Sequence, residues 1–316
     1  MNQTSQNTAA TDDTAGNSAG FHRNGIIYGF AAYFSWGFLP LYFRMLDHVR
    51  AMEIVANRVI WSFFLLLVIL AFRRTLRQFG KLVRNKQSML ILGATARLIA
   101  CNWLGYIWAV NNGHVIAASL GYFLNPLVNV LLGFWILKER HGRLQWAAVG
   151  LAALGVAILA ATALDTLWIS LTLACSFSLY GLIRKMAPVT PLQGLAGETL
   201  ILTPVSVLYL IWLGDIGAFG IASDLTTNSL LVASGVITTV PLLLFAVAAK
   251  RMPYSTLGLL QYIAPTLQFL LGVLVFGETL GRGQLWSFGL IWTGLILYTA
   301  DSFRRGRMER RAISAV

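Results

Sequence analysis

The sequence predicts an all-α membrane protein of ten transmembrane helices, arranged as two inverted five-helix repeats with both termini cytoplasmic. Three observations carry that prediction. First, 57% of the 316 residues are hydrophobic and only 11% are charged, against about 25% charged in a soluble domain. The apolar residues fall in blocks of roughly 17 to 23, enough to cross a hydrocarbon core of about 30 Å. Second, the basic residues lie between those blocks with a strong bias to one side. Third, one apolar block and the block after it echo themselves 139 residues later. A soluble protein with a buried helical core would need amphipathic helices, and few are present.

Residues 1–24 are polar, rich in Ser, Thr, Asn and Ala, and lack the basic start of a signal peptide, so they read as a disordered cytoplasmic tail. Span 1 covers 25–46 and span 2 covers 53–72, each an apolar run closed by polar or basic residues. The loop after span 2 holds Arg73, Arg74, Arg77, Lys81, Arg84 and Lys86 and no acid. Span 3 (89–110) and span 4 (115–137) follow, then the KERHGR loop and span 5 (144–161). Span 6 (166–183) is closed by Arg184 and Lys185, and span 7 (197–213) is kinked or weakened by Pro204. The next loop carries Asp215 and Asp224 and no base. Span 8 (229–249) ends at Lys250 and Arg251, span 9 covers 254–276 and span 10 covers 284–300. The first repeat is thus 25–162, the second 163–303, and 304–316 is a basic cytoplasmic tail.

With the amino terminus inside, 19 Lys and Arg residues fall in inner segments, and only Arg50 and Arg282 fall outside. Arg44, Arg58 and Arg97 lie within spans. This split sets the orientation and supports ten spans, because one span more or fewer would scatter the basic loops over both faces. The net charge of +12 is therefore topology, not a nucleic-acid surface. Cys101 and Cys175 both sit in apolar blocks and read as small core residues, not a disulfide. No GxxxxGK[ST], HExxH or CxxC motif occurs, so neither a cofactor nor a metal is expected.

At the 139-residue shift Pro126 meets Pro265, Leu131-Leu132-Gly133 meets Leu270-Leu271-Gly272, and Glu139 meets Glu278. Gln145, Gly150 and Gly155 meet Gln284, Gly289 and Gly294 without a gap. Each half holds five spans, an odd number, so the second half begins on the opposite side. That is the inverted-repeat arrangement of many secondary transporters.

The stretches AAYFSWGFLPLYFR, EIVANRVIWS, NWLGYIWAVNNGHV, ASLGYFLNPLVNVLLG and STLGLLQYIAPTLQFLLGV resemble the RarD branch of the EamA, or drug/metabolite transporter, superfamily. The likeness extends from Gly25 to about Phe303. It implies an inner-membrane protein of ten helices with a central cavity lined by spans 1, 3, 4, 6, 8 and 9, with contributions from 2 and 7. Members of the branch are linked to chloramphenicol sensitivity. They often carry His where this chain has Asn57, and Glu where it has Ala117. Both departures remove a titratable group near the expected site.

The candidate site is built from polar residues inside spans, which are costly unless they face protein or water. Arg58 is the first candidate, to bind an anionic group, with snorkelling or pairing to Asp47 or Glu53 as the alternative; Arg97 is a second cation. Asn102 and Tyr106 share a face of span 3, with Trp103 and Trp108 pointing elsewhere, toward lipid. Tyr122, Asn125 and Asn129 share a face of span 4, and Gln261, Tyr262 and Gln268 lie on span 9 at matching repeat positions. Pro126 and Pro265 are the candidate hinges. Ser35, Trp36 and Tyr180 offer further polar and aromatic walls. Glu139 and Glu278 read as structural caps.

These residues suit a secondary carrier, a permease or exporter that moves a small organic metabolite or an amphipathic drug such as chloramphenicol or an amino acid by alternating access. Its partners are the solute and membrane lipids, not nucleic acid; monomer and homodimer both stay open. A non-transporting scaffold or sensor is the alternative. A lipid-modifying enzyme would need clustered acids, histidines or a metal, and buried ones are nearly absent from the sequence. Glu53 and Glu198 remain as candidates for proton coupling.

Overall fold

The computed structural model describes residues 24–111, 114–161, 164–215, 224–275 and 282–313, and every regular element among them is helical. In chain order these are α1 (Asn24–Arg44, with a turn at Phe38), α2 (Ala51–Phe72), α3 (Leu76–Arg84), α4 (Lys86–Asn111), α5 (Val115–Trp135), α6 (Arg143–Ala160) and α7 (Leu167–Met186). They continue with α8 (Pro191–Asp215), α9 (Leu225–Arg251), α10 (Tyr254–Leu260), α11 (Ile263–Leu274) and α12 (Arg282–Ile313). Among the described residues, α1, α2, α4, α7, α8 and α9 are long and apolar enough to cross a membrane. Shorter apolar stretches, Leu120–Trp135, Arg143–Ile158 and Leu285–Tyr298, lie in α5, α6 and α12. The chain is a multi-pass, all-α membrane protein.

The packing settles how the repeat-related helices run. A Cβ on Gly155 of α6 would lie 2.7 Å from the Ser287 carbonyl oxygen of α12, and one on Gly294 of α12 would lie 2.6 Å from the Ala148 carbonyl oxygen of α6. Gly294 is the repeat mate of Gly155, and Ser287 that of Ala148. Each glycine therefore meets its mate's neighbour one helical stretch away, which happens only when the two helices are antiparallel. Close backbone approach through small residues is how helices associate in lipid. The same reciprocity joins α5 to α10. Phe123 packs on its own mate Tyr262 at 6.4 Å between ring centroids. Beyond the end of α5, Glu139 reaches back to Tyr254 and Ser255 at the start of α10.

Two cores result. One joins α1, α2, α7 and α9 around Tyr33, Phe177, Tyr180 and Phe245. The other joins α5, α6, α10 and α12 around Phe123, Tyr262, Phe288 and Ile291. The outer faces are apolar too: Phe72, Leu90 and Leu208 are 85%, 74% and 66% exposed. That inversion of the usual rule is expected where the solvent is hydrocarbon.

Several sequence expectations change. The basic loop after span 2 contains a helix, α3, which buries only Phe79 and leaves its Lys and Arg outward. Span 9 is two helices, interrupted at Gln261 and Tyr262. The last helix continues through residue 303 to Ile313. Cys101 and Cys175 are free but exposed, so they lie on the outer faces of α4 and α7 and not in the core. Glu278 falls outside the described residues.

Candidate functional site

Arg58 is the eighth residue of α2, about 12 Å along the helix at 1.5 Å per residue. Its Nε donates to Thr238 Oγ1 of α9 at 2.8 Å. Its guanidinium lies 5.0 Å from the Trp103 ring centroid and 5.7 Å from that of Phe43. An Arg at the membrane centre costs at least ~2.5–3.5 kcal/mol on insertion scales. A charged hydrogen bond contributes ~1.5–3 kcal/mol, and each desolvated cation–π contact up to ~2 kcal/mol. Those terms offset the cost without a carboxylate, and among the described residues none is paired with Arg58.

The surroundings form a half-buried recess. Tyr106 of α4 and Tyr122 of α5 meet at 5.7 Å between centroids, and both sense the Arg58 charge. Tyr42 of α1 senses it too, while its hydroxyl donates to the Leu230 carbonyl of α9 at 2.9 Å. Arg58, Tyr42, Phe43, Trp103, Tyr106 and Tyr122 are all partly accessible. The terminal amino groups of Arg58 bond to no described residue, so the fork faces the recess. The alternative pairing of Arg58 with Asp47 is not made: Asp47 sits beside His48 at 3.6 Å, highly exposed. Arg97 is exposed on α4 and does not join the recess.

The other sequence candidates separate into two further groups. Trp36 and Tyr180 belong to an aromatic cluster below the recess. Trp36 packs on Tyr33, Phe177 and Phe245 at 5.5, 5.9 and 5.9 Å, and Tyr180 stacks on Phe245 at 6.2 Å. Ser35 donates within its own helix to Ala31. The remaining group is a polar seam between the repeats. Asn129 Nδ2 donates to Gln261 Oε1 at 3.1 Å. Gln268 Nε2 donates to the Trp36 carbonyl at 3.1 Å. Asn125 and Tyr262 are fully buried, and neither the Asn125 amide nor the Tyr262 hydroxyl has a partner among the described residues. Asn102 is not on the recess side. Its amide donates to the Leu173 carbonyl at 2.9 Å and to Ser176 Oγ at 3.1 Å, which ties α4 to α7.

Pro126 lies inside a continuous α5, whereas Pro265 follows the interruption between α10 and α11. Pro265 cannot donate to the Gln261 carbonyl four residues back. Around it the ladder tightens to i→i−3 bonds: Gln261 N to Gly258, Tyr262 N to Leu259 and Ala264 N to Gln261, at 3.1–3.2 Å. Gly258 permits this path, since a Cβ there would lie 2.6 Å from the Asn129 Cβ.

At the end of the bundle opposite the recess the chain is closed. Glu139 accepts from the backbone N–H groups of Tyr254 and Ser255 at 2.5 and 3.0 Å and from Ser255 Oγ at 2.5 Å, which caps α10. Lys185 Nζ donates to the Ala249 and Met252 carbonyls at 2.9 and 2.6 Å. Lys250 returns the bond to the Ala187 and Val189 carbonyls. Beneath them Arg184 and Glu198 are both buried, with Nε 3.5 Å from Oε1, and Tyr180 donates to Oε2 at 3.2 Å. The Arg184 Nη2 donates to the Pro191 carbonyl at 2.9 Å, and a Cβ on Gly194 would lie 1.7 Å from Nη1.

Sequence reasoning missed Trp103, Tyr42, Phe43 and Thr238 around Arg58, and the Arg184–Glu198 pair. It sent Trp103 to lipid because Asn102 defined the inward face. Trp103 and Tyr106 are i, i+3, and that signal points to a shared face. Arg184 was counted as a loop charge, although Tyr180 and Arg184 are i, i+4.

A membrane-crossing bundle with antiparallel repeat mates and a cationic, aromatic recess has the construction of a membrane transporter, and the comparisons agree. Residues 23–161 match the EamA-like transporter family. An uncharacterised transporter of Pseudomonas aeruginosa is 46% identical over 89% of this chain and 95% of its own. The protein RarD of Salmonella typhi is 45% identical over 91% of this chain and 98% of its own. The chain belongs to the EamA-like transporter family, in its RarD branch, and is a multi-pass inner-membrane transporter. A crystal structure of a protein only 21% identical superposes with a TM-score of 0.68, covering 87% of this chain and 97% of that one, so the fold is shared.

Proposed function

We propose that the chain is a secondary transporter that carries a small organic solute by alternating access and binds it in the recess around Arg58. The observation that carries this reading is the Arg58 fork, held by Thr238, Trp103 and Phe43 but facing accessible space. The recess lies at the α1–α2 end, while Glu139, Lys185 and Lys250 close the other end. A recess open at one end and latched at the other is one half of an alternating cycle. Antiparallel repeat mates supply the other half, because exchanging the two repeats' conformations would exchange which end is open. The α10–α11 interruption is the hinge of the movement, with Pro265 removing one backbone hydrogen bond beside it. Tyr106 and Tyr122 form the recess wall, and Trp36 and Tyr180 its floor. Asn125, Asn129, Gln261, Tyr262 and Gln268 form the seam along which the repeats shift; Asn102 is packing. Amphipathic solutes of the size of chloramphenicol or an amino acid suit an aromatic recess of this kind.

The test is counterflow in proteoliposomes with wild type and Arg58→Leu. Wild type exchanges at least one small amphipathic solute. Arg58→Leu drops exchange at least tenfold, with an unchanged melting curve. Equal flux in a folded Arg58→Leu protein removes Arg58 from the site. Retained partner binding without flux of any solute in wild type favours a scaffold or sensor.

A further inference from the structure

The chemistry of the recess selects among those solutes. We propose that the ligand is a small organic monoanion, a carboxylate on an aromatic or apolar body, and not a zwitterionic amino acid or a neutral drug; this rests on the reading of the Arg58 recess as the transport site. Arg58 presents an open guanidinium fork, since only its Nε is bonded, to Thr238. A planar fork with two free amino groups matches a carboxylate with two parallel hydrogen bonds, a geometry that a neutral amide or alcohol cannot reproduce. Among the described residues no carboxylate forms an ion pair with Arg58. Thr238 and the rings solvate the guanidinium but leave its net charge, which one negative charge on a ligand neutralises.

The ammonium of an amino acid fails for the same reason. Placed next to its own carboxylate, it would stand within a few ångströms of Arg58, with no acid among the described recess residues to receive it. Glu53, on the same helix, is buried and forms no ion pair with Arg58, and Glu198 is engaged by Arg184 and Tyr180 at the closed end. A dianion is disfavoured by the single cation. The body of the ligand meets the tilted Tyr106–Tyr122 pair, whose rings suit flat, apolar groups.

The experiment uses four aromatic probes: phenylacetate, its neutral amide phenylacetamide, the zwitterion phenylalanine and the larger neutral chloramphenicol. Binding to the detergent-purified full chain is followed by tryptophan fluorescence and thermal shift, and counterflow is measured in proteoliposomes. Phenylacetate is expected to bind at least tenfold more tightly than phenylacetamide or phenylalanine and to give the fastest exchange. Arg58→Gln is expected to abolish that preference while still binding the amide, which also reports that the variant is folded; Arg58→Lys restores part of it. Exchange of phenylalanine or chloramphenicol without phenylacetate overturns the monoanion assignment and leaves the carrier reading standing. Selective phenylacetate binding without any exchange overturns the carrier reading and leaves the assignment. An acid preference that survives in Arg58→Gln, or no binding of any probe, overturns the assignment.

Discussion

Helix α5 and its repeat mate α10–α11 carry a proline at the same position, yet one is continuous and the other is interrupted. Proline removes one backbone hydrogen bond in either case, so the proline alone does not decide the outcome. What differs is the packing. On the second copy, Gly258 presses against Asn129 and lies within 3.2 Å, by its Cβ position, of the Pro126 carbonyl. Gln261 then turns to accept from Asn129. On the first copy, Ser178 of α7 lies beside the proline and donates to the Asn125 carbonyl at 3.4 Å. The duplicated sequence sets where a helix can yield; the neighbour it packs on sets whether it does.

The comparison is tested most severely where the two copies are most alike. Gly155→Leu and Gly294→Leu place a side chain on a backbone carbonyl 2.6–2.7 Å from the Cβ position. Each is expected to cost ~3 kcal/mol or more, the upper end of overpacking, and by similar amounts, read as lost folded yield and thermal stability. A large loss at one glycine and none at the other would mean that the α6–α12 crossing is not symmetric. Next is Glu139→Ala, which removes three bonds from the start of α10. A loss of about 2 kcal/mol follows from the worth of a charge-assisted bond, and Glu139→Gln should recover part of it. No change in melting would remove Glu139 as the cap. A double-mutant cycle on Asn129 and Gln261 is expected to give only ~0.6 kcal/mol of coupling, the average for such bonds in membranes. Smaller still is the static effect of Pro265→Ala. If packing sets the interruption, hydrogen exchange across residues 258–266 stays as it is; strong new protection there would mean that the proline itself breaks the helix.

Much of this architecture was legible because lipid enforces simple rules. Long apolar blocks, basic loops and an ungapped 139-residue echo predicted the all-helical membrane bundle and the antiparallel mates before any coordinates. Arg58 was legible because a charge in hydrocarbon has few innocent explanations. Its partners were not. Trp103 read as lipid-facing, Phe43 carried no signal of its own, and nothing local in a helix tells which neighbour a ring will cover. Arg184 was hidden by its position at a span end, where a basic residue normally signals topology; its burial depends on the start of α8 packing over it at Gly194. The helix α3 was missed because a nine-residue basic stretch with one buried Phe resembles a loop in composition.

The smallest effect concerns a pair of mates that differ by one charge. Asn85 precedes α4 and accepts from Ser88 N at 2.9 Å; Asp224 precedes α9 and accepts from Thr227 N at 3.2 Å. Asn85 and Asp224 are repeat mates, as are Ser88 and Thr227, so the helix start has been kept while the cap has changed from neutral to ionised. The backbone N–H groups of Thr226 and Thr227 hold the Asp224 carboxyl below its ordinary range. A group whose folded pKa is depressed contributes stability that is fully present above its unfolded pKa, about 3.9 for Asp. That contribution is lost as pH falls through the lower folded value. Wild type should therefore lose a small increment of melting temperature on acidification below about pH 4 that Asp224→Asn does not lose, while Asn85→Asp should gain a second increment of the same sign. Because Asp224 is open to solvent, salt shrinks the difference. Parallel acid profiles for wild type and Asp224→Asn would mean that the charge at this cap does nothing its neutral mate does not already do.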